Sequence, residues 1–399
     1  MQAVEIKKDI YWVGAVDWDV RDFHGYSTPV GTTYNAYLVM DEKVAVFDTV
    51  KHGFIDTYFN HIGNVIEPEK IDYLIINHVE MDHSGGFLEV VDRMKPEKIF
   101  CSANGKKALL AHFHREDLPY EVIKSGDTIN LGKHTVKFIE TKMLHWPDSM
   151  FSYFEEDKLL ISQDAFGLHY ATSERFDDEL KWPDLFREAE KYYANILLPY
   201  SNLIQKLLKD VGEMGIEFDM IAPDHGPIWR GFHEKIIESY ASWSKQETAY
   251  KAVVIYDTMW HSTEKMAHAV ADGLMDEGAS VKVLNMRYCH RSDVMTDLMD
   301  AGAIVLGSAT LNNGILPRMA DVTTYMKGLK PVGRIGGAFG SYGWGGEAVK
   351  ILEALMTDMK IELVDQGLRS NYVPTADDLA KCTEYGRKIA LAMKSKQQQ

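Results

Sequence analysis

Along the first 240 residues, short apolar runs alternate with polar loops, and each run has the length of a single strand. TYNAYLVMDEKVAVFDT carries β-prone residues on both sides of Asp41-Glu42-Lys43, which predicts a hairpin. IDYLIIN, KIFCS, HTVKFIETKMLH, KLLISQDAF and DMIAPDHG follow, and several finish on a residue able to hold a metal. Near residues 236–250, in IIESYASWSKQETAYK, the pattern becomes an amphipathic helix and then a polar stretch. Beyond it the rhythm changes. KAVVIYD, SVKVLNM, AIVLGSA and RIGGAFGS are continuous apolar runs, the mark of parallel strands covered on both faces. They alternate with helical segments such as TEKMAHAVADGLMDEG, MADVTTYMKGL and GGEAVKILEALMTDM, so the second half reads as a doubly wound sheet of about five strands. The change of rhythm predicts two α/β domains, residues 1–248 and 249–399.

Length agrees, since 399 residues exceed what one core usually organises. The formal charge of -16, from 43 basic against 59 acidic residues, argues against a nucleic-acid partner. No apolar run approaches the ~20 residues of a membrane span, and MQAVEIKKDIYWV lacks a secretory core, so a soluble, cytoplasmic protein is expected. The polar KSKQQQ tail is expected to be disordered. Cys101, Cys289 and Cys382 are odd in number and far apart, which leaves nitrogen and oxygen as the ligands for any metal.

NHVEMDHSGG places His78, Glu80, Asp82 and His83 within six positions at the end of a strand-like run. In an extended chain, alternate side chains can converge on one metal while the adjacent pair diverges towards a second. His145 ends KFIETKML, Asp164 ends KLLISQ and His225 ends MIAPD, so three later strand ends each offer a further ligand. This constellation resembles the metallo-β-lactamase fold, an αββα sandwich with metals at one edge of its two sheets. Zinc hydrolases of that superfamily read HxHxDH, whereas this chain has Glu80 in place of the second histidine. A carboxylate-rich set of nitrogens and oxygens suits iron better than zinc. The resemblance assigns His78, Glu80 and His145 to one iron, Asp82, His83 and His225 to the other, and Asp164 to both, together with an oxo or hydroxo bridge. His24 from RDFHGY and His169 from DAFGLHY are placed beside it as catalytic pocket groups, and Trp146 as packing.

In VVIYDTMWHSTEKMA a strand passes through a short loop into a helix. The loop of Thr258, Met259, Trp260, His261, Ser262 and Thr263 offers hydroxyls and helix N-terminal amides to an anion. A flavodoxin holds the FMN phosphate with this device. Thr310, Leu311, Asn312 and Asn313 in GSATLNNG are placed to bond the flavin pyrimidine edge. Ser341, Tyr342, Gly343, Trp344 and Gly345 in GAFGSYGWGGEA are placed along its ring. Trp260 and His261 stand where flavodoxins usually carry a third hydroxyl and a glycine, so backbone amides must contribute more. A GxGxxG fingerprint is absent, which argues against NAD(P)H here.

The two halves together resemble the flavodiiron proteins, also called A-type flavoproteins. That resemblance implies FMN and two non-haem irons, and an oxidoreductase that takes O2 to water, NO to N2O, or both. It also implies a head-to-tail homodimer or a dimer of dimers, and rubredoxin or another small donor, with reduced F420 in methanogen members. The chain carries no cysteine pairs, so any rubredoxin is expected to be a separate protein. The rival reading is a zinc hydrolase joined to a flavodoxin-like electron carrier, with Glu80 as the residue that discriminates.

Overall fold

The computed structural model describes residues 2–397 and forms two compact units. The first comprises Met1–His24, Thr28–Tyr192 and Asn202–Ser244, and the second Gly25–Ser27, Tyr193–Ser201 and Lys245–Gln399. This division differs from a single cut at 248/249. It falls after Ser244, and two short pieces of the N-terminal half group with the second unit.

The first unit holds two sheets. One runs, in spatial order, through Val4–Lys7, Ile10–Trp12, Tyr37–Val39, Ala45–Phe47, Tyr73–Ile76, Lys98–Ser102 and Tyr120–Ile123. The expected hairpin is there, with Tyr37 opposite Phe47 and Val39 opposite Ala45. The other sheet orders Thr128–Asn130, Thr135–Glu140, Met150–Phe154, Leu159–Gln163 and Met220–Pro223. Side chains of a strand alternate between faces, and here both faces are covered. Tyr37, Val39, Phe47 and Ile75 face a core shared with Phe138, Phe154 and Ile161 of the second sheet. Their neighbours Leu38, Val46, Leu74 and Ile76 face a second core with helices Ile55–Gly63 and Phe87–Met94. Phe47 meets Phe154 edge-on, with centroids 5.5 Å apart, an arrangement favoured by the ring quadrupoles.

In the second unit the strand order is Ser280–Asn285, Ala249–Asp257, Ala301–Ser308, Ile335–Tyr342, with all neighbours parallel. Two short strands, Glu362–Leu363 and Leu368–Asn371, pair one after the other along the outer side of Ile335–Tyr342. They fill the fifth position jointly, so the expected five-stranded sheet contains six strands. The connections are helices, including Ser262–Asp276, Pro317–Leu329 and Glu347–Asp358. Part of the expected disordered tail is ordered, because Lys394 to Gln397 continue the helix Ala376–Gln397. Met393 is buried, and the Lys394 ammonium and Gln397 amide donate to the carbonyls of Glu277 and Thr248, which anchors that turn. Gln398 and Gln399 lie outside the described residues. Among the described residues, no helix is long and apolar enough to cross a membrane.

Candidate functional site

Sheet ends position the metal-type side chains. His78 follows Tyr73–Ile76 by two residues, Asp164 directly follows Leu159–Gln163, and His225 stands two beyond Met220–Pro223. Two sequence expectations need correction. The strand before His145 ends at Glu140, so His145 comes from a loop rather than a strand end. The run His78 to His83 is not extended throughout, because Met81–Ser84 form a helical turn that begins just after Glu80. That turn presents the neighbours Asp82 and His83 to one side, which extended backbone cannot do.

The seven side chains converge. His78 Nε2 lies 3.3 Å from Glu80 Oε2 and 3.4 Å from Asp164 Oδ2. His145 Nε2 lies 3.2 Å from the same Glu80 oxygen and 2.9 Å from the same Asp164 oxygen. On the other side, His83 Nε2 and His225 Nε2 lie 3.3 and 3.1 Å from Asp82 Oδ2. Their distances to Asp164 Oδ1 are 3.2 and 3.4 Å. Asp164 thus turns one oxygen to each group of donors.

All seven are buried except His145, which is nearly so. Both Asp82 oxygens, both His83 ring nitrogens and Asp164 Oδ1 lack a hydrogen-bond partner among the described residues. Buried polar atoms are normally paired, so lone pairs that approach one another without bonding mark a space meant for cations. The donor set of imidazole nitrogens and carboxylate oxygens therefore fits a pair of iron-type ions. Burial alone raises a carboxyl pKa. At Asp164 the imidazoles of His83, His145 and His78 override it and hold the group well below the ordinary value.

A second layer fixes the rings. His225 Nδ1 donates to the Thr33 carbonyl at 2.6 Å, which turns Nε2 towards Asp82 and Asp164. His78 Nδ1 lies 3.1 Å from Asp148 Oδ2, and that oxygen is itself fixed by the Val79 N–H at 2.7 Å. Asp224 Oδ2 stands 3.6 Å from His83 Nδ1. Asp48 accepts both the backbone and side-chain N–H of Asn77 at 2.7 Å, which anchors the residue before His78. Sequence reading missed Asp48, Asp148, Asp224 and Thr33. The adjacency of Asp224 to His225 is the one local signal among them.

His24 and His169 both lie beside the donor cluster. His24 sits at a left-handed position, φ 55°, and its Nε2 is 2.9 Å from Glu80 Oε1. His169 is buried, with Nδ1 2.8 Å from the Thr32 hydroxyl. Desolvation, aided by repulsion from His225, lowers its pKa and keeps it neutral. Phe23 packs 4.8 Å from the His169 ring and 4.4 Å from that of His24, centroid to centroid. Tyr192, another residue the sequence did not single out, lies 5.1 Å from His169 with its hydroxyl buried. Trp146 packs edge-on against His78, as expected of packing.

At the carboxyl ends of the second unit's strands lies a cavity of about 680 Å³. All three expected loops line it, through Met259, Trp260, Ser262, Thr310, Asn312, Asn313 and Ser341 to Gly345, joined by Ala309, Tyr372 and Val373. Thr258, His261, Thr263 and Leu311 do not. The Thr263 hydroxyl is paired with that of Ser341 at 2.9 Å, and His261 Nδ1 turns to Glu264 Oε2 at 2.5 Å. Leu311 closes a tight turn with Gly314, which holds Asn312 and Asn313 left-handed at φ 49° and 57°. Gly346, at φ 127°, needs glycine to bring the chain back to the helix. Trp260 and Trp344 are 86% and 92% exposed, a large apolar area at the cavity mouth. The helix Ser262–Asp276 has no side-chain cap, and the Thr258 hydroxyl is buried without a partner among the described residues. Open amides, an unused hydroxyl and aromatic walls fit a phosphorylated flavin.

Fold and site thus define a lactamase-fold dimetal unit continued by a flavodoxin-like unit. The models of the ODP family beta lactamases and of the flavodoxins match residues 32–226 and 254–386. The chain is 46% identical to the rubredoxin-oxygen oxidoreductase of Megalodesulfovibrio gigas, over 99% of each chain. It is 47% identical to the nitric oxide reductase of Moorella thermoacetica, over 98% of each. Among solved structures, the flavodiiron protein from Giardia intestinalis superposes with a TM-score of 0.95 at 33% identity, covering 99% of this chain and 98% of that one. The chain belongs to the flavodiiron protein family.

Proposed function

We propose that this chain is a diiron and FMN oxidoreductase that reduces O2 to water, NO to N2O, or both, in the cytoplasm. Residues 1–248 are assigned to the diiron half and 249–399 to the FMN half. The observation that carries the reading is Asp164, whose two carboxylate oxygens serve two separate groups of nitrogen and oxygen donors. His78, Glu80 and His145 would hold one iron, and Asp82, His83 and His225 the other. The names of the M. gigas and M. thermoacetica relatives support the two gases, and the former supports rubredoxin as donor. Reduced F420 is the alternative donor, and a head-to-tail homodimer or dimer of dimers is the proposed assembly.

When bound, the irons and flavin supply sites for a diatomic gas and up to four electrons, enough for O2 + 4 e⁻ + 4 H⁺ → 2 H2O. The chain's own residues shape the space around that chemistry. Thr33 and Asp148 hold the rings of His225 and His78 in one orientation. His24 donates from Nε2 to Glu80 and so fixes the carboxylate's outer oxygen. Phe23 and the neutral His169 exclude bulk water from one side, so small uncharged gases enter at lower cost than ions.

Metal and flavin analysis, followed by anaerobic mixing of reduced protein with O2 or NO, tests the reading. Two irons and one FMN per chain, with turnover to water or N2O and little peroxide, are expected. Two zincs, no iron and hydrolytic turnover would instead support the rival, against which the family membership and Glu80 already weigh.

A further inference from the structure

The loop from Thr258 to Thr263 is poorer in hydroxyls than the flavodoxin loop it resembles, and Thr263 is already committed to Ser341. A pair outside that loop compensates. Asp257, buried at the end of the strand Ala249–Asp257, accepts the Thr258 N–H through Oδ1 at 2.8 Å. Arg287 reaches over from beyond the neighbouring strand. Its Nε donates to the same Asp257 oxygen at 3.3 Å and its Nη2 to the Thr258 carbonyl at 2.5 Å. The peptide groups on both sides of Thr258 are therefore clamped, and the residue between them keeps a buried hydroxyl without a partner among the described residues.

Charge points the same way. A carboxylate beside a dianion costs energy unless it is neutralised. Asp257 is matched by Arg287 and, at 4.0 Å, by Arg318. Glu264, in the first helical turn, is held by hydrogen bonds to His261 at 2.5 Å and to the Tyr256 hydroxyl at 2.9 Å. Two guanidinium groups thus face the buried Asp257 carboxylate, at the start of the loop that leads to the uncapped helix amides.

We infer that the Asp257–Arg287 clamp is the specificity element by which this unit selects a flavin bearing a terminal phosphate dianion over the same flavin without it. The inference rests on the FMN reading above. Arg287 acts as a positioning residue: it fixes Thr258, while the other two loops would hold the isoalloxazine ring.

The test uses the full-length protein stripped of flavin, titrated with FMN and, separately, with riboflavin, following the quenching of flavin fluorescence. Arg287→Ala is expected to raise the FMN Kd at least about tenfold, the scale of one lost charge-assisted hydrogen bond. The riboflavin Kd should stay within about twofold, and Arg287→Lys, which keeps the charge and one bond, should recover part of the loss. Thermal unfolding of each flavin-free variant accompanies the titrations. An unchanged FMN Kd would overturn the inference. So would an equal loss for both flavins, which is the signature of a general structural defect. If the wild-type protein binds neither flavin, the cofactor reading itself fails and takes the clamp with it.

Discussion

The two sites solve the problem of holding a charged cofactor in opposite ways. The metal site is built from buried ionisable side chains drawn from distant parts of one unit. Several of their donor atoms, on Asp82, His83 and Asp164, have no hydrogen-bond partner among the described residues, and a second layer of hydrogen bonds sets the rings of His78 and His225. The flavin site is built chiefly from backbone at three loops, with open amides, a few hydroxyls and exposed aromatic rings. Buried side-chain ligands work only when every member is present, because an unpaired charge in the interior is expensive. Backbone loops share the burden among many donors, so losing one is milder. The contrast predicts steep, all-or-none effects at the first site and graded effects at the second.

The largest break is expected at Asp164. Asp164→Ala removes the one carboxylate common to both groups, so metal analysis should show both ions lost together and gas turnover abolished. Loss of a single ion would show that the two groups load independently. Next comes Asp148→Asn, which loosens the orientation of His78 without removing a ligand. Such outer partners are typically worth about 10- to 100-fold in metal affinity, readable by competition with a chelator, while the FMN content should stay unchanged.

A third test separates function from stability within the first unit by comparing Asp82 with Asp41. Asp41 accepts backbone N–H groups of Lys133, His134 and Glu42, and although burial opposes ionisation, these bonds bring its pKa down to about 2. A depressed pKa contributes stability above the unfolded value near 4 and loses it as pH falls towards the folded value. Asp41→Asn should therefore cost about 2 kcal/mol at pH 7, shrinking to nothing as denaturant melts are repeated from about pH 4 to pH 2. Asp82→Asn should instead show itself in metal content, with the ion on that side lost, because its Oδ2 lies 3.3 and 3.1 Å from His83 and His225 Nε2 within the donor cluster. The smallest effect is expected at Trp344, 92% exposed at the cavity mouth. Trp344→Ala should weaken FMN binding only about three- to tenfold, the scale of an aromatic stacking contact, as measured by fluorescence titration.

The same contrast explains what the chain revealed before folding was considered. The clustered histidines and carboxylates were legible because their residue types are rare together and most lie near the end of an apolar run. The flavin loops were legible as places but less so as atoms. Thr258, Thr263 and Leu311 belong to loops that line the cavity without lining it themselves, and their surroundings were decided by Asp257, by Ser341 and by a turn to Gly314. Asp48, Asp148, Asp224 and Arg287 escaped notice since an isolated acid or arginine in sequence looks like any solvated surface group.

Local patterning missed Val4–Lys7, Ile10–Trp12, Tyr120–Ile123, Thr128–Asn130 and Met150–Phe154, but was enough to find most of the strands that lead to the two sites, the two rhythms and the inventory of metal-type side chains. These follow from side-chain periodicity and from chemistry that a residue carries wherever it goes. Only the folded chain decided that Asp164 faces both groups of donors, that a helical turn presents Asp82 beside His83, and that Arg287 reaches Thr258. The first and last depend on distances between separate segments, which exist only after the sheets have closed upon their cores, and the turn at Met81–Ser84 is a local conformation that residue type did not announce.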